Sequence, residues 1–389
     1  MKPHTVKEPL YKERNLQIIF GVALMVVLGV SSITPAFPEI ANGLNISGNE
    51  VGLLITFYTL PGVLFTPVMG VLADRLGRKE VLVPSLLLFG IAGAACGLTH
   101  DFGTILVLRF FQGIGAASLA FLNITVIGDL YSGKERSEAV GYNESIISFS
   151  EAIYPFIGGS VAMFGWYYPF YLPIVAVPIG FMVLFYLKAP RPENDLRIKE
   201  YLRNAALSFK SLQVIGLFAA IILTFAIYYG VFHSFFPFFM KKFDASSSTI
   251  GLFMTLTFIS TAITSTQLGR LVKFFSVRHL LMAGSALYCL SMLVLPMVPN
   301  MGMLLFPVII YGIAQGINLP NLLALLTGLA PMEHRAAFLS INWVVVRFGQ
   351  TIGPLLGGLA FGLWGINAVF YSGAILAIAM LAVVTLFIK

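Results

Sequence analysis

GVLADRLGRKEVL (residues 70–82) is a charged turn between two apolar runs, and it returns in altered form as GRLVKFFSVRHLL (residues 269–281). Two further pairs of segments keep nearly the same separation: FQGIG (111–115) with AQGIN (314–318), and YPFIGG (154–159) with GPLLGG (353–358). The three pairs indicate an ancient duplication that produced two related halves. Paired halves with a site at their interface are typical of transporters.

The composition is that of a polytopic membrane protein. Of the 389 residues, 58% are hydrophobic and 11% are charged, whereas about 25% of the residues of a typical soluble domain are charged. The mean hydropathy is +0.89, and the repeated apolar runs of about 20 residues are long enough to cross a bilayer as helices. The lipid bilayer is therefore the expected environment of most of the chain.

Twelve membrane-spanning helices are predicted and are called spans 1 to 12. All are expected to be helical, because an apolar segment in lipid must satisfy its own backbone hydrogen bonds. Spans 1 to 6 lie near residues 16–38, 51–73, 80–98, 103–128, 138–163 and 166–187. Spans 7 to 12 lie near residues 212–239, 246–269, 279–297, 301–329, 336–363 and 365–388. The predicted fold class is all-α, with twelve transmembrane helices in two pseudo-symmetric halves.

The chain is predicted to have three parts. Residues 1–187 form an N-terminal half of six spans, and residues 212–389 form a C-terminal half of six spans. Residues 188–211 form a cytoplasmic linker, in which residues 196–207 have the apolar spacing of an amphipathic helix lying on the membrane surface.

The positions of the basic residues predict the orientation in the membrane. Most of the 24 lysines and arginines fall on the side that holds both chain termini, and only Lys241 and Lys242 fall in a loop on the opposite side. Because cytoplasmic loops carry an excess of Lys and Arg, both termini are expected in the cytoplasm and the protein in the plasma (inner) membrane. The net charge of +7 reflects this bias, so no nucleic-acid partner is expected.

Three motifs resemble those of the major facilitator superfamily, and the resemblance covers the whole chain. They are GVLADRLGRK (70–79) after span 2, RFFQGIGAA (109–117) in span 4 and GQTIGPLLGG (349–358) in span 11. The general appearance, including PAFPEI (35–40) after span 1, is most similar to proton-coupled exporters of drugs and metabolites. The resemblance implies a monomer that exchanges a small molecule for protons by alternating access.

The glycine-proline motif of antiporters belongs in span 5, where this sequence departs from it. Ser150 and Tyr154 stand where the first two glycines would be. This departure leaves a proton-linked importer of the same fold as the alternative function. Residues predicted to pack helices closely are Pro155, Gly158 and Gly159 in span 5, and Gly349, Gly353, Pro354, Gly357 and Gly358 in span 11.

The loop after span 2 is predicted to gate the transporter. One interpretation is a solvated basic loop, but Gly70 and Gly77 favour a tight turn with close helix approach. The resemblance implies that Asp74 faces the N-terminal end of span 11 and that Arg78 pairs with an acid at the end of span 4, where Asp129 is the candidate. Arg75 completes the predicted gating set.

Glu144 and Glu151 place two carboxylates in span 5. Seven residues separate them, so they lie about 20° apart on one helix face and about 10.5 Å apart along it. That face must meet protein or a water-filled cavity rather than lipid, where carboxyl groups can carry protons across the membrane. The alternative is a structural pair held by neighbouring arginine or hydroxyl groups. Glu151 is the stronger candidate for proton coupling, because Glu144 lies nearer the cytoplasmic end.

Three basic or titratable residues inside spans have two interpretations each. Arg109 either binds backbone carbonyls of a neighbouring helix or, as the resemblance implies, helps protons to move. Arg347 either contacts an anionic substrate or balances a carboxylate. His233 titrates near neutral pH and is a candidate for coupling, but a lone membrane histidine is more often a hydrogen-bonded helix contact.

Candidates for the substrate cavity are amides on spans 4 and 10 and aromatic rings on span 7. The amides are Gln112, Asn123, Gln315, Asn318 and Asn321, and the rings include Tyr229 and Phe232. Hydrogen bonds between helices are the alternative role of the amides, and packing against lipid is that of the rings.

Enzymatic function is not predicted. The sequence lacks a Walker loop, H-E-x-x-H, G-x-S-x-G and a cysteine–histidine pairing. The two cysteines, Cys96 and Cys289, lie in apolar segments and are expected to be buried thiols, so neither a metal site nor a cofactor is expected.

Overall fold

The computed structural model describes residues 9–189, 211–329 and 335–388. The described chain is helical almost throughout and has no strand. The predicted surface helix at residues 196–207, and most of the predicted linker, lie outside the described residues.

Ten of the spans contain one main helix each. In the first half these are Leu53–Leu76, Arg78–Ala95, Phe102–Leu130, Gly133–Ala162 and Ala176–Tyr186, for spans 2 to 6. In the second half they are Ser247–Phe274, Val277–Val294, Leu305–Leu329, Arg335–Trp364 and Ile366–Phe387, for spans 8 to 12. The predicted all-α, multi-span fold is confirmed.

Spans 1 and 7 are interrupted helices. Span 1 consists of Arg14–Ser31, a 3₁₀ turn at Thr34–Ala36, and Phe37–Leu44. Span 7 consists of Leu212–Ile227, a π-helical turn at Tyr228–His233, and Ser234–Met240.

Two span boundaries differ from the prediction where a proline or a polar residue changes the backbone conformation. Span 1 continues to Leu44 rather than ending near residue 38, and Asn45 ends it in the left-handed conformation with φ of 54°. Span 6 begins with a 3₁₀ segment, Tyr168–Val175, in which Pro169 and Pro173 lack the backbone N–H groups of an α-helix.

Eleven helical segments of the described chain are long and apolar enough to cross a membrane. Span 5 is not among them by hydropathy, although its helix is 30 residues long, which corresponds to about 45 Å. Its charged first turns and its two glutamates lower its hydropathy. A helix of this kind can lie in a membrane because its polar face meets protein or a cavity.

The buried side chains form two hydrophobic cores. One core is drawn from residues 16–187 and the other from residues 214–388. Spans 2, 3 and 4 pack together in the first half, and spans 8, 9 and 10 pack together in the second. The principal helix contacts between the halves are span 5 with span 8 and span 2 with span 11. The site between the halves is therefore framed by these four helices.

The two halves meet closely at one face of the membrane region, called here the closed gate. A Cβ atom added at Gly159 would overlap the carbonyl oxygen of Ser247, and one added at Gly251 would overlap that of Pro155. A Cβ at Gly52 would lie 3.1 Å from the carbonyl oxygen of Pro354. Small residues let helix backbones approach this closely.

The opposite face, which holds both chain ends and is called here the N/C face, is open between the halves. No described atom lies within 4 Å of a Cβ added at Gly70, Gly141 or Gly269. These three glycines lie near the N/C-face ends of spans 2, 5 and 8. The described helices therefore separate toward the N/C face and converge at the closed gate.

Candidate functional site

A cavity of about 390 Å³ lies between spans 5 and 8. Its lining residues are Glu144, Ser145, Ser148, Glu151, Phe258, Thr261, Ala262, Ser265 and Thr266. Above the cavity, Thr255 of span 8 donates a hydrogen bond of 2.6 Å to the carbonyl oxygen of Ala152 in span 5. The cavity begins below this contact and opens toward the N/C face.

Both glutamates of span 5 line this cavity, and hydroxyl groups surround them. Glu144 is exposed and Glu151 is partly buried. Within the described part of the chain, neither carboxylate forms an ion pair with a lysine, arginine or histidine. The predicted polar face thus meets a cavity rather than lipid. Carboxylates without a basic partner are free to bind a proton or the polar part of a ligand.

The face of span 5 that carries the two glutamates continues through Ser148, Pro155 and Gly158 and divides between two environments. Ser148 lines the cavity together with the glutamates. Pro155 and Gly158 are buried, and a Cβ at Gly158 would overlap the carbonyl oxygen of Ser32 in span 1. One helix face therefore serves the cavity in its first half and close packing in its second.

Arg347 bridges from span 11 to the N-terminal half. Its Nη1 donates to Oε1 of Gln350 at 3.1 Å, and its Nη2 donates to the carbonyl oxygen of Ala116 at 3.4 Å. Its Cδ would lie 2.7 Å from a Cβ added at Gly62. The guanidinium contacts no carboxylate of the described residues. Tyr229 packs against the hydrophobic cores of both halves.

A pair of threonines forms a second polar link between the halves beside Arg347. The Thr351 hydroxyl of span 11 lies 2.9 Å from the Thr59 hydroxyl of span 2. The Thr56 hydroxyl donates to the carbonyl oxygen of Thr351 at 3.3 Å. These threonine contacts lie between the cavity and the closed gate.

Arg109 is buried inside the N-terminal half, with 1% of its surface exposed. Its Nε donates to the carbonyl oxygen of Leu54 at 3.1 Å, and its Nη1 donates to that of Gly29 at 2.8 Å. Nη1 also bonds Oε1 of Gln112 at 2.7 Å, and the guanidinium lies 4.5 Å from the centre of the Tyr58 ring. The arginine thus joins spans 1, 2 and 4.

Substituting Arg109 with alanine should destabilise the N-terminal half. Each buried acceptor left without a partner costs about 1–3 kcal/mol, and Arg109→Ala removes the donor from three of them. We expect a lower melting temperature for the detergent-purified variant in a thermal-shift assay. A variant with the wild-type melting temperature that has lost only pH-dependent transport would instead assign Arg109 to proton movement.

The five candidate amides lie inside the halves rather than along the cavity. Asn123 donates to the carbonyl oxygen of Ile19 at 2.9 Å, and Asn321 donates to that of Ile317 in its own helix at 2.8 Å. Gln112 accepts from Arg109, whereas Gln315 accepts a hydrogen bond from the Tyr288 hydroxyl. Neither amide atom of Asn318 has a hydrogen-bond partner, and a Cβ at Gly284 would meet its side chain.

The related positions of spans 4 and 10 show how the two halves diverged. Gln112 and Gln315 occupy equivalent places in the repeated FQGIG and AQGIN segments. An arginine three residues earlier donates to the oxygen of the first amide, and at the corresponding place in span 10 stands Gly312. In the second half a tyrosine from span 9 takes over the arginine's role.

His233 and Phe232 lie in the π-helical turn of span 7 and are fully buried. The His233 ring is 4.6 Å from the Tyr228 ring and stacks on the Tyr229 ring at 5.2 Å. Phe232 stacks on Tyr311 at 4.5 Å. Only the half-buried Tyr229 of these side chains lies near the interface between the halves.

The loop after span 2 places Arg78 between two acids. Its Nη1 is 2.6 Å from Asp74, its Nε is 3.0 Å from Asp129, and it also donates to the carbonyl oxygen of Ala73 at 2.9 Å. Gly77 has φ of 118°, a conformation that side chains rarely adopt. Arg75 is exposed.

The comparison with known families accounts for this architecture. The family model described as Major Facilitator Superfamily matches residues 19–240 and 217–389. The chain belongs to the major facilitator superfamily. Membership identifies it as a multi-pass membrane transporter, and the resemblance stated from its motifs is confirmed.

The similar curated sequences include an exporter and proteins named for drug resistance. Multidrug resistance protein 1 of Bacillus subtilis is 26% identical over 368 residues, which is 94% of each chain. The bacillibactin exporter of the same organism is 28% identical over 207 residues, and the match spans about half of each chain (51%). The quinolone resistance protein NorA of Staphylococcus aureus is 25% identical over 158 residues, or 41% of each chain.

Solved structures of superfamily members share the fold. The nucleoside transporter NupG superimposes with a TM-score of 0.82 at 14% identity, and the match covers 97% of this chain and all of that one (100%). A D-xylose–proton symporter superimposes with a TM-score of 0.76 at 15% identity, covering 96% and 98%. At this level of identity the likeness shows the superfamily fold alone.

Some contacts that hold the two halves together were missed by the sequence reasoning. Lys241 and Glu39 form an ion pair of 2.6 Å between spans 7 and 1. Their 202-residue separation in sequence gave no local signal. The hydroxyls of span 8 did have a signal, since TLTFISTAITSTQ (255–267) is rich in Ser and Thr for a membrane helix.

In this superfamily member, neutralising Asp74 tests whether the loop after span 2 is a gate. We expect Asp74→Asn to reduce transport strongly while leaving the amount of protein in the membrane unchanged, because Asp74 of span 2 holds Arg78 at the start of span 3. Transport in vesicles, normalised to protein by immunoblot, is the measurement. Full activity of the variant would exclude a gating role for this carboxylate.

Proposed function

We propose that this protein is a proton-coupled exporter that moves a small amphipathic molecule or metabolite out of the cell in exchange for protons. The observation that carries the proposal is the cavity between spans 5 and 8, where Glu144 and Glu151 lie among hydroxyl groups and pair with no described basic side chain. The exporters among the curated relatives support the direction of transport.

We assign the N/C face to the cytoplasm and the protein to the plasma (inner) membrane. The excess of Lys and Arg on that face supports the assignment. With this orientation the described conformation is open to the cytoplasm and closed to the outside. The protein is proposed to work as a monomer in the bilayer.

The coupling mechanism follows from the cost of burying charge. In the inward-open state the Glu151 carboxyl releases its proton to the cytoplasm, and the cavity receives the substrate. A buried, unpaired carboxylate is unfavourable, so the halves close over Glu151 only when it is protonated or when a substrate satisfies it. The substrate-bound protein carries substrate outward, and the protonated protein carries a proton inward. This restriction on the two forms produces exchange.

The other predicted residues take supporting roles in the proposal. Tyr229 and Arg347 stand at the interface of the halves and are assigned to substrate contact. Arg109 is assigned to holding spans 1 and 2 against span 4, with Gln112 as its partner. Asp74, Arg78 and Asp129 form one side of a cytoplasmic latch, and the N-terminal end of span 11 completes it when the inner side closes.

The alternative is a proton-linked importer of the same fold. The incomplete glycine motif of span 5 supports the importer as a second candidate function, because Ser150 and Tyr154 replace two glycines of the antiporter pattern. Importer and exporter differ in the direction in which a proton gradient drives the substrate.

Everted membrane vesicles with an acidic lumen separate the two functions. An exporter that exchanges substrate for protons accumulates substrate in the lumen, which corresponds to the outside of the cell. The substrates to test are a fluorescent quinolone and bacillibactin, chosen from the names of the relatives. Accumulation that a protonophore abolishes supports export. Depletion of preloaded substrate by the same gradient would establish import.

A further inference from the structure

The π-helical turn in span 7 is the most unusual backbone feature of the described membrane region. It covers Tyr228–His233, and π turns within α-helices occur frequently at functional sites. The Ser234 hydroxyl donates a hydrogen bond of 2.7 Å to the carbonyl oxygen of Tyr229. Because the wide turn holds one extra residue, the helix after it is rotated by about 100° relative to a continuous α-helix.

Span 11 packs its backbone directly on this turn. A Cβ added at Gly230 would overlap the backbone of Gly353, and a Cβ added at Gly357 would overlap the carbonyl oxygen of Gly230. The glycines leave no side chain between spans 7 and 11 at this contact. The π turn is therefore matched to an arrangement in which the two backbones touch.

The segment after the turn is fixed by the N-terminal half at the closed gate. A Cβ added at Gly52 would lie 3.6 Å from Cζ of Phe235, and one added at Gly48 would lie 3.1 Å from Cε1 of Phe238. Lys241, which follows this segment, forms the ion pair with Glu39. The rotational position of Ser234–Met240 is therefore held on one side by the N-terminal half and on the other by Phe361 and Phe370 of its own half.

His233, the last residue of the π turn, is buried with its hydrogen-bonding groups unpaired. It is 1% exposed, and neither ring nitrogen has a hydrogen-bond partner. The side chains around it are Tyr228 and Tyr229 of its own span, Phe232 beside it, and Phe258 of span 8 at 6.0 Å. All four are neutral, and no described charged side chain forms an ion pair with it. Buried polar groups without partners call for an explanation.

One aromatic ring separates His233 from the cavity. Phe258 lines the cavity between spans 5 and 8 and also lies beside His233. A rotation of the helix after Tyr229 would carry the imidazole past this ring toward the space between the halves.

We propose that the π turn of span 7 is a register switch that presents His233 to the central cavity when the closed gate opens. Release of Phe235, Phe238 and Lys241 from the N-terminal half lets the turn relax toward an α-helix. His233 then leaves the aromatic side chains around it and becomes a hydrogen-bonding, protonatable contact for substrate in the outward-open state. This role of His233 rests on the proposed transport function, whereas the rotation itself does not.

Cysteine labelling from the outside tests the rotation. The background is Cys96→Ala with Cys289→Ala, the reagent is a membrane-impermeant maleimide, and His233→Cys is the reporter. The gate is opened by Gly251→Val, because a side chain there collides with Pro155. Phe238→Cys in the same background reports gate opening independently. We expect both reporters to react about tenfold faster with Gly251→Val than without it, as a population shift of this size predicts.

Gly230→Ala provides a second way to open the contact, since its Cβ would overlap Gly353 in the present state. In detergent-solubilised protein, where the maleimide also reaches the cavity from the N/C face, it should accelerate labelling of His233→Cys even where Gly251→Val leaves Phe238→Cys unchanged. Faster labelling of Phe238→Cys without faster labelling of His233→Cys would overturn the register switch. So would unchanged labelling of His233→Cys in a monodisperse Gly230→Ala protein. Labelling requires neither substrate nor protons, so its result is independent of the test for export.

Discussion

Glu151→Gln should abolish uphill transport while leaving substrate binding in place. The amide keeps the size of the side chain and its hydrogen bonding but cannot exchange a proton. The halves can then close with or without substrate, and closing is no longer linked to protonation. We expect transport driven by a pH gradient to fall about 100-fold, which corresponds to a loss of roughly 2.7 kcal/mol of coupling. Exchange of labelled for unlabelled substrate, which needs no proton, should continue near the wild-type rate.

Glu144→Gln is the matched control for this variant. Glu144 lines the same cavity but is exposed toward the N/C face, where water can solvate its charge in the described state. We expect it to retain gradient-driven transport within a few-fold of the wild type. Equal losses from both substitutions would assign coupling to the pair rather than to Glu151. Unchanged pH dependence in Glu151→Gln would refute the role of Glu151.

Gly251→Val should hold the transporter open at the closed gate and stop its cycle. A Cβ at Gly251 would overlap the carbonyl oxygen of Pro155, so spans 5 and 8 cannot pack there without moving apart. Overpacking of this kind costs about 1–3 kcal/mol or more, which shifts the balance between conformations by roughly one to two powers of ten. We expect almost complete loss of transport with normal assembly in the membrane.

The gate itself is measured at a pair of serines that meet across it. The Ser160 and Ser248 hydroxyls lie 3.2 Å apart, so Ser248→Cys is protected from an impermeant maleimide while the gate is closed. Gly251→Val should remove that protection. Gly141→Val in span 5 is the control, because no described atom lies within 4 Å of a Cβ added there. Continued protection of Ser248→Cys in Gly251→Val would show that the glycine contact does not hold the gate.

The fold was largely predictable because lipid imposes strong rules on the sequence. Long apolar runs had to be helices, and the repeated segments set the two halves in register. What the sequence did not predict was the local backbone conformation inside two apolar runs. Span 1 passes through a 3₁₀ turn at Thr34–Ala36, and span 7 widens at Tyr228–His233. Neither change alters hydropathy, so periodicity alone cannot detect it.

The candidate site was predictable only in part. Glu144, Ser148 and Glu151 share a helix face, and helical geometry alone placed them together. The partners across the cavity, such as Phe258 and Ser265, depend on how span 8 packs against span 5, which a single sequence does not specify. The amides of spans 4 and 10 had two predicted roles, substrate contact and hydrogen bonds between helices. Sequence alone does not decide between them, because a polar residue in a membrane helix can be satisfied inside one half as well as in a cavity.

The most direct test of proton-coupled export is the pH change that substrate movement drives in sealed proteoliposomes. A quinolone added outside vesicles with an internal pH-sensitive dye enters through the transporter, and an antiporter must send protons out as it does so. We predict a rise in internal pH with the wild type, and none with Glu151→Gln although labelled quinolone still exchanges. A fall in internal pH, or quinolone uptake by the wild type with no pH change at all, would contradict proton-coupled export.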